Sequence, residues 1–321
     1  MRLESICWII TPRLAHRHYF KSKSNYFMTI EKSKLATWMI LLGVLFWGAT
    51  FSFTKQAVGI VDVYSFLSIR FIIASILLAI IFANKFKLYT KEILWKGILL
   101  GTILSAGFIL QTTGIKYTTA SNAGFITGLV VILVPIIISV INKKLPKVNQ
   151  IIAIVLALGG LALLTLKNKF SINIGDVWVL LATFALATHL ILITKLVKNI
   201  NASLFVITQL FTVGIITGIV GLITNYRITI SGDWNVWKAI LFCAIFASAY
   251  MYTTQAYMQR YITELKTAII FSFEPLFAVL VAYLYLNEQI TSHTLIGGLL
   301  IFIAMIISEI KQRQTTMVVT N

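Results

Sequence analysis

Residues 120–141 read ASNAGFITGLVVILVPIIISVI, a stretch with no charged side chain and one internal proline, Pro135. About 20 apolar residues in a helix cross the hydrocarbon of a bilayer. Helix is the form such a run must take, because an open strand would leave amides and carbonyls unpaired in lipid. Residues 265–286, LKTAIIFSFEPLFAVLVAYLYL, form a second run of the same kind, with Pro275 lying 140 positions after Pro135. The chain is therefore read as a membrane protein.

Outward from these runs, further apolar stretches follow in quick succession. The spacing predicts helices at about 36–58, 64–84, 95–114, 120–141, 149–166, 175–196, 203–224, 236–257, 265–286 and 292–310. Composition agrees. The 321 residues are 59% apolar and 12% charged, against about 45–50% and about 25% in soluble domains. Mean hydropathy is +0.91. Period-2 alternation is absent, which argues against an outer-membrane barrel. Connections are short and offer no separate extramembrane domain. Cys7 and Cys243 are too few for a disulfide framework.

The formal charge is +17, which in a soluble chain would point to nucleic acid. Here the basic residues stand singly or in small groups between apolar runs, with no basic stripe. They read as orientation signals, since Lys and Arg gather in cytoplasmic loops. Twenty of the 27 fall on the side of the amino-terminal tail, six on the other side, and Arg70 lies within a span. Both termini are expected in the cytoplasm of a multi-pass cell-membrane protein, and an even number of spans requires the same. Residues 1–35 are expected as a cytoplasmic tail and 311–321 as another. Met28 offers a second plausible start, so 1–27 is either tail or an over-extended start.

The halves 36–166 and 175–310 repeat each other. Phe46-Trp47-Gly48-Ala49-Thr50 faces Phe184-Ala185-Leu186-Ala187-Thr188, and Phe66-x-x-x-Arg70 faces Phe205-x-x-x-Gln209. Pro135 faces Pro275, and Gly159-Gly160 faces Gly297-Gly298. The offsets stay between 138 and 140 in these pairs. Five helices is an odd number, so the second copy enters from the opposite side. The expected fold is all-α, ten transmembrane helices as two inverted five-helix repeats, an architecture that puts a substrate site between the halves near the midplane.

Five segments taken in order resemble the drug/metabolite transporter superfamily in its EamA-like family. They are Phe46-Trp47-Gly48-Ala49, Ile69-Arg70-Phe71, Gln111-Thr112-Thr113-Gly114 through Thr119-Ala120, Gly124-Phe125-Ile126-Thr127-Gly128, and Phe273-Glu274-Pro275-Leu276-Phe277-Ala278 running to Asn287-Glu288-Gln289. The resemblance covers about 36–310. It implies a ten-helix secondary carrier, often an exporter of amino acids, related metabolites or toxic compounds. One departure is Asn142-Lys143-Lys144, where the family often has Glu-Arg.

Polar groups inside a span are costly and need a reason. Glu274 lies near mid-depth, either as a substrate contact or proton carrier or as a structural acid bonding a neighbouring helix. Pro275 removes a helix hydrogen bond beside it and Pro135 does so in the other half, making both candidate kinks. Arg70 either snorkels outward or faces a cavity. Its counterpart Gln209 is uncharged. His189 is either a proton relay or a satisfied hydrogen-bonding group. Trp47, Thr50 and Thr54 share one helix face, as do Gly107, Gln111 and Gly114, and Ser248, Tyr252 and Gln255. Asn122 stands just inside the fourth helix. Trp47, Thr50, Arg70, Gln111, Asn122, His189, Gln209, Tyr252, Gln255 and Glu274 are the expected cavity lining, with plain helix packing the alternative reading of the shared faces and of Asn122. Gly97-x-x-x-Gly101, Gly124-x-x-x-Gly128 and Gly214-x-x-x-Gly218 are read as helix-packing motifs within the chain.

The leading expectation is a secondary transporter for a small organic substrate, worked by alternating access, with a proton or other ion as coupling partner. No cofactor, metal or nucleic acid is expected, and no Walker A loop is present. The alternative is a membrane-embedded enzyme acting on lipid-linked substrates. It would need acids, His or Cys converging at one face, and most of the ten acids are scattered in loops.

Overall fold

The computed structural model of the chain describes residues 7–143, 145–165, 173–197, 200–224, 232–258, 261–262 and 264–309. Ten main helical segments succeed one another among the described residues: α1 (Cys7–Val58), α2 (Val63–Ile81), α3 (Lys91–Tyr117), α4 (Ala120–Ile141), α5 (Val148–Thr165), α6 (Ile174–Leu196), α7 (Ala202–Ile223), α8 (Trp234–Met258), α9 (Ile269–Leu286) and α10 (Ser292–Glu309). Among the described residues nine are long and apolar enough to cross a membrane, while the apolar part of α5, Val148–Leu164, is shorter. The last residues of the expected 149–166 and 292–310 spans, and the expected tail 311–321, lie outside the described residues.

Local chemistry starts these helices where the sequence places polar caps. The side chains of Asp62, Thr90, Thr119, Asn173, Asn201 and Asp233 each accept a hydrogen bond from a backbone amide in the first turn of the helix that follows. Capping of this kind contributes about 1 kcal/mol per helix. Asn287, in the left-handed region at φ 52°, ends α9. α1 begins well before the expected residue 36, and its apolar, membrane-length part is Glu31–Val58. Between Pro12 and Gly43 the sequence holds neither proline nor glycine, so nothing breaks the helix upstream of the apolar run.

Three helices are irregular in mid-span. α4 divides at Leu129 into Ala120–Gly128 and Val130–Ile141. α9 is preceded by a helical start at Glu264 and is interrupted at Ser272 and Phe273, between Phe271 and Glu274. α8 passes through a π-helical segment, Cys243–Tyr250. Such wider turns appear frequently at functional sites.

Packing sorts the helices into two bundles. α2, α3, α7 and α8 share a core that includes Phe66, Phe71, Leu100, Leu204, Leu210 and Ile240. α4, α5, α9 and α10 share another, with Ile126, Ala153, Ala278, Ala282, Ile301 and Met305. Each bundle takes two helices from each half of the chain. α1 and α6, the first helix of each half, join the bundles: α1 packs on α8 and α9, and α6 on α3 and α4. The three glycine motifs serve these contacts inside the chain. Gly97 and Gly101 meet Thr208 and Thr212, Gly124 and Gly128 meet Ala278 and Pro275, and Gly214 and Gly218 meet Ile72 and Ser68. The outward face is apolar, with Ile80, Val155, Leu158, Ile223, Leu284 and Leu299 more than half exposed. An apolar belt of that extent calls for lipid.

Polar contacts tie the bundle ends. Where α3 finishes, the Lys55 ammonium donates to the carbonyl oxygens of Ile115 (3.1 Å) and Thr118. Thr118 in turn donates through Oγ1 to Asp176 of α6. The Glu288 carboxylate accepts from the Ala120 amide (2.7 Å), the Ser121 amide (3.2 Å) and Ser121 Oγ (2.8 Å), closing the amino-terminus of α4. A carboxylate is favoured there by the helix dipole. At the opposite end, Lys85 donates to Ser203 Oγ (3.2 Å) and Tyr257 Oη (3.0 Å), and Tyr250 donates to the Met39 carbonyl (3.0 Å).

The Glu288 bonds give a stability prediction. Glu288→Ala is expected to lower stability in detergent by about 2 kcal/mol, the scale of hydrogen bonds to a charged group. Glu288→Gln is expected to recover part of it. A thermal melt followed by tryptophan fluorescence checks the order wild type, Gln, Ala; equal melting of all three removes the carboxylate as a fastener.

Candidate functional site

The breaks in α4 and α9 border one central cavity of about 130 Å³, which α8 reaches just past its π-helical segment, at Tyr252 and Gln255. Seven helices from both halves line it: α1, α2, α3, α4, α6, α8 and α9. α9 is brought to its edge by close approach. A Cβ added at Gly48 would stand 2.6 Å from Phe277 Cβ and 2.8 Å from the Glu274 carbonyl oxygen, and one at Gly128 would stand 2.7 Å from Pro275 Cγ. Only glycine lets α1 and α4 pass this near to the turn that carries Glu274.

Trp47, Thr50, Arg70, Gln111, His189, Tyr252, Gln255 and Glu274 all border the cavity. The Trp47 indole N–H donates to the Ala247 carbonyl oxygen at 2.8 Å. Its ring meets those of Tyr252 and Phe271 edge-on, at 5.8 and 5.6 Å between centroids. Arg70 does not snorkel. It is 3% exposed, its Nε donates to Ser248 Oγ at 3.1 Å, and its guanidinium lies over the rings of Phe71 and Phe108 at 4.8 and 5.3 Å. Trp47 and Arg70 therefore anchor on consecutive residues of the π-helical turn. Gln111 Nε2 donates to Thr127 Oγ1 at 3.0 Å, joining α3 to α4. His189 Nε2 stands 3.1 Å from Gln209 Oε1.

Glu274 opens the helical run after the break, with Pro275 behind it. Its carboxyl has no hydrogen-bond or ion-pair partner among the described residues, and neither have the terminal nitrogens of Arg70. A cation and an acid thus face one small cavity without neutralising each other through a direct contact. Pro135 and Pro275 each lack the amide that would bond the carbonyl four residues earlier. Those carbonyls belong to Val131 and Phe271, which also border the cavity. The break in α4 falls at Leu129, before Pro135 rather than at it.

Two expected lining residues lie elsewhere. Asn122 sits at the far end of α4, where Nδ2 donates to the Leu164 carbonyl at 3.3 Å beside a separate polar pocket that Glu288 also borders. A position so close to the helix start cannot reach mid-depth. Gln209 is fully buried behind His189. On α3 the expected face was turned slightly wrong. Gly107 and Gly114 pack against Leu186 and Val179 of α6, and the cavity face is Leu104, Phe108 and Gln111. Thr54 is buried away from the cavity. Phe51, Thr127, Gly128, Val130 and Val131 complete the α1 and α4 walls; as apolar or small residues in spans they carry no signal that separates lining from packing.

Comparison with known proteins places this architecture. The model of the EamA-like transporter family matches twice, over residues 34–166 and 173–309. An uncharacterized transporter of Archaeoglobus fulgidus is 29% identical over 273 residues, 85% of each chain. The uncharacterized transporter YyaM of Bacillus subtilis is 28% identical over 288 residues, 85% of this chain and 93% of the relative. A chloroplastic WAT1-related protein of Arabidopsis thaliana is 23% identical over 303 residues, 89% of this chain and 72% of the relative. A solved crystal structure superposes with TM-score 0.60 at 15% identity, over 85% of this chain and 96% of the other, a likeness of fold. With the family model covering both halves, the chain belongs to the EamA-like transporter family and is a multi-pass membrane transporter.

Proposed function

We propose that the chain is a secondary transporter that moves small organic metabolites outward across the cell membrane by alternating access. Amino acids or related compounds, or drugs, are the substrate classes. One observation carries this reading: a cavity lined by helices of both repeats, bordered by an acid and a guanidinium that no described side chain neutralises by a direct contact. An uncompensated charge buried at mid-depth is costly, and a substrate bearing the opposite charge offsets that cost. A zwitterion fits both walls, its ammonium towards Glu274 and its carboxylate towards Arg70. The aromatic rings of Trp47, Tyr252, Phe108 and Phe271 supply apolar contact for the body of the molecule.

The two-bundle arrangement supports the mode of action. α1 and α6 bridge bundles that each combine helices from both halves, so a rocking of one bundle against the other would expose the cavity to each side in turn. The excess of basic residues on the tail side supports cytoplasmic termini. A proton is the favoured coupling ion, with Glu274 as its carrier, since a carboxyl free of fixed partners can exchange a proton for substrate.

Purified protein in liposomes, loaded with a mixed metabolite pool and read by mass spectrometry with and without a proton gradient, tests this. One compound class should cross only when the protein is present, and a proton gradient should speed it. Glu274→Gln is expected to insert normally and to reduce gradient-driven transport at least about tenfold, the effect of about 1.4 kcal/mol. Unchanged transport takes Glu274 out of coupling.

His189 has a bonded partner and a smaller share in this scheme. His189→Ala should therefore cost less transport than Glu274→Gln under the same gradient. The reverse order would make the histidine the principal proton group.

A further inference from the structure

Arg70 and Gln209 occupy matching places in the two repeats, yet they meet the cavity differently. Arg70 borders it directly. Gln209, 0% exposed on α7, reaches it only through His189 of α6, with Oε1 3.1 Å from His189 Nε2. The other imidazole nitrogen, Nδ1, has no partner among the described residues and is absent from the fully buried unpaired atoms. His189 borders the cavity, and Nδ1 is its ring nitrogen left without a described partner.

The geometry points to Gln209 as a positioning residue that holds the proton of His189 on Nε2 and turns the Nδ1 lone pair into the cavity. With the Gln209 amide turned so that Oε1 meets the ring and its own Nε2 is left buried without a described partner, the oxygen accepts and the proton sits on His189 Nε2; in uncharged imidazole the second nitrogen is then an acceptor. This assignment rests on the transporter reading of the cavity and deepens it. It specifies that the substrate group meeting the α6 wall is a hydrogen-bond donor, an ammonium, amide N–H or hydroxyl, and not a carboxylate. The charged groups on the other walls are consistent with that placement: Glu274 of α9 attracts a cationic donor, while Arg70 of α2 takes an acid group. Tyr252 of α8 borders the same cavity.

The test is direct and needs no known substrate. The full chain is labelled with ¹⁵N-histidine and placed in lipid nanodiscs. Its ring nitrogens are recorded by NMR, and His189 is assigned by its loss in His189→Gln. The expected result is a protonated Nε2 with a bare Nδ1. Gln209→Leu, close in volume, should release the ring to a mixture of tautomers, and Gln209→Glu should restore the Nε2–H form. A protonated Nδ1 in the wild type, or an imidazolium, overturns the proposal, as does a tautomer indifferent to Gln209→Leu.

A second readout uses the liposome assay. Gln209→Leu should raise the concentration of the transported pool compound needed for half-maximal rate by about fivefold, the loss of about one hydrogen bond, with little change in maximal rate. A fall in maximal rate alone would mark Gln209 as a packing residue and overturn the assignment. If no compound crosses with wild-type protein, the transporter reading fails while the NMR result still decides the tautomer.

Discussion

A carboxyl group and a guanidinium cannot be left in hydrocarbon, and the packing of this molecule is arranged around keeping Glu274 and Arg70 out of it. Glu274 lies in α9, a helix whose far side carries exposed Leu280 and Leu284. Its inward placement depends on α9 being drawn tightly against α1 and α4, and Gly48, Gly124 and Gly128 supply that approach. In lipid there is no hydrophobic force between helices, so contact depends on close fit. A methyl group at Gly48 would meet backbone atoms of the very turn that presents the acid. The small residues flanking α9 and the acid within it are thus one arrangement.

The inverted repeat explains the form of the cavity and leaves its chemistry unequal. Both prolines fall in equivalent helices, and both strip a hydrogen bond from a carbonyl four residues earlier, in residues that border the cavity. The backbone is therefore similarly irregular on two walls. The side chains are not. Arg70 leans on a hydroxyl and two aromatic faces, while its counterpart Gln209 leans on a histidine. Duplication supplied a scaffold with matching walls, and substitution within it gave one wall an arginine and the other a histidine bonded to a glutamine. A molecule with unlike ends would find two distinguishable walls there, which is the property the proposed zwitterionic substrate needs.

The fold was legible because lipid permits few solutions. Runs of about 20 apolar residues must be helices, and Pro135 and Pro275 at a constant offset mark the duplication. The cavity was partly legible for a related reason: a polar side chain in mid-span is rare enough to be conspicuous, and Glu274, Arg70, His189 and Gln111 were visible on that ground alone. Depth and rotation were harder. Asn122 looked like a lining residue because position along a helix says little about height when the first turn is still at the interface. Gly107 and Gly114 looked like cavity wall because a glycine opens space as readily for a neighbouring helix as for a ligand; here α6 fills it. The π-helical turn of α8 was beyond reach, since Cys243–Tyr250 is composed of residues that ordinary α-helix accepts equally well.

The fastenings at the two ends differ in kind, and this bears on which contacts a rocking motion would have to exchange. Where α3 finishes, Lys55 and Glu288 bond mostly to backbone at helix termini, the Lys55 ammonium to carbonyls ending α3 and the Glu288 carboxylate to amides opening α4. Each matches a full charge to a helix dipole of the opposite sign. At the other end the ties run from Lys85 to hydroxyls of Ser203 and Tyr257, and from the Tyr250 hydroxyl to a carbonyl. The Lys85 bonds are charge-assisted as well, but they go to hydroxyls that water can replace, whereas Lys55 and Glu288 would give up both charge-assisted bonds and the favourable helix dipole on parting. On the proposed mechanism, the end closed by Lys55 and Glu288 is the harder to part, so the conformation with that end shut is the one the empty molecule favours.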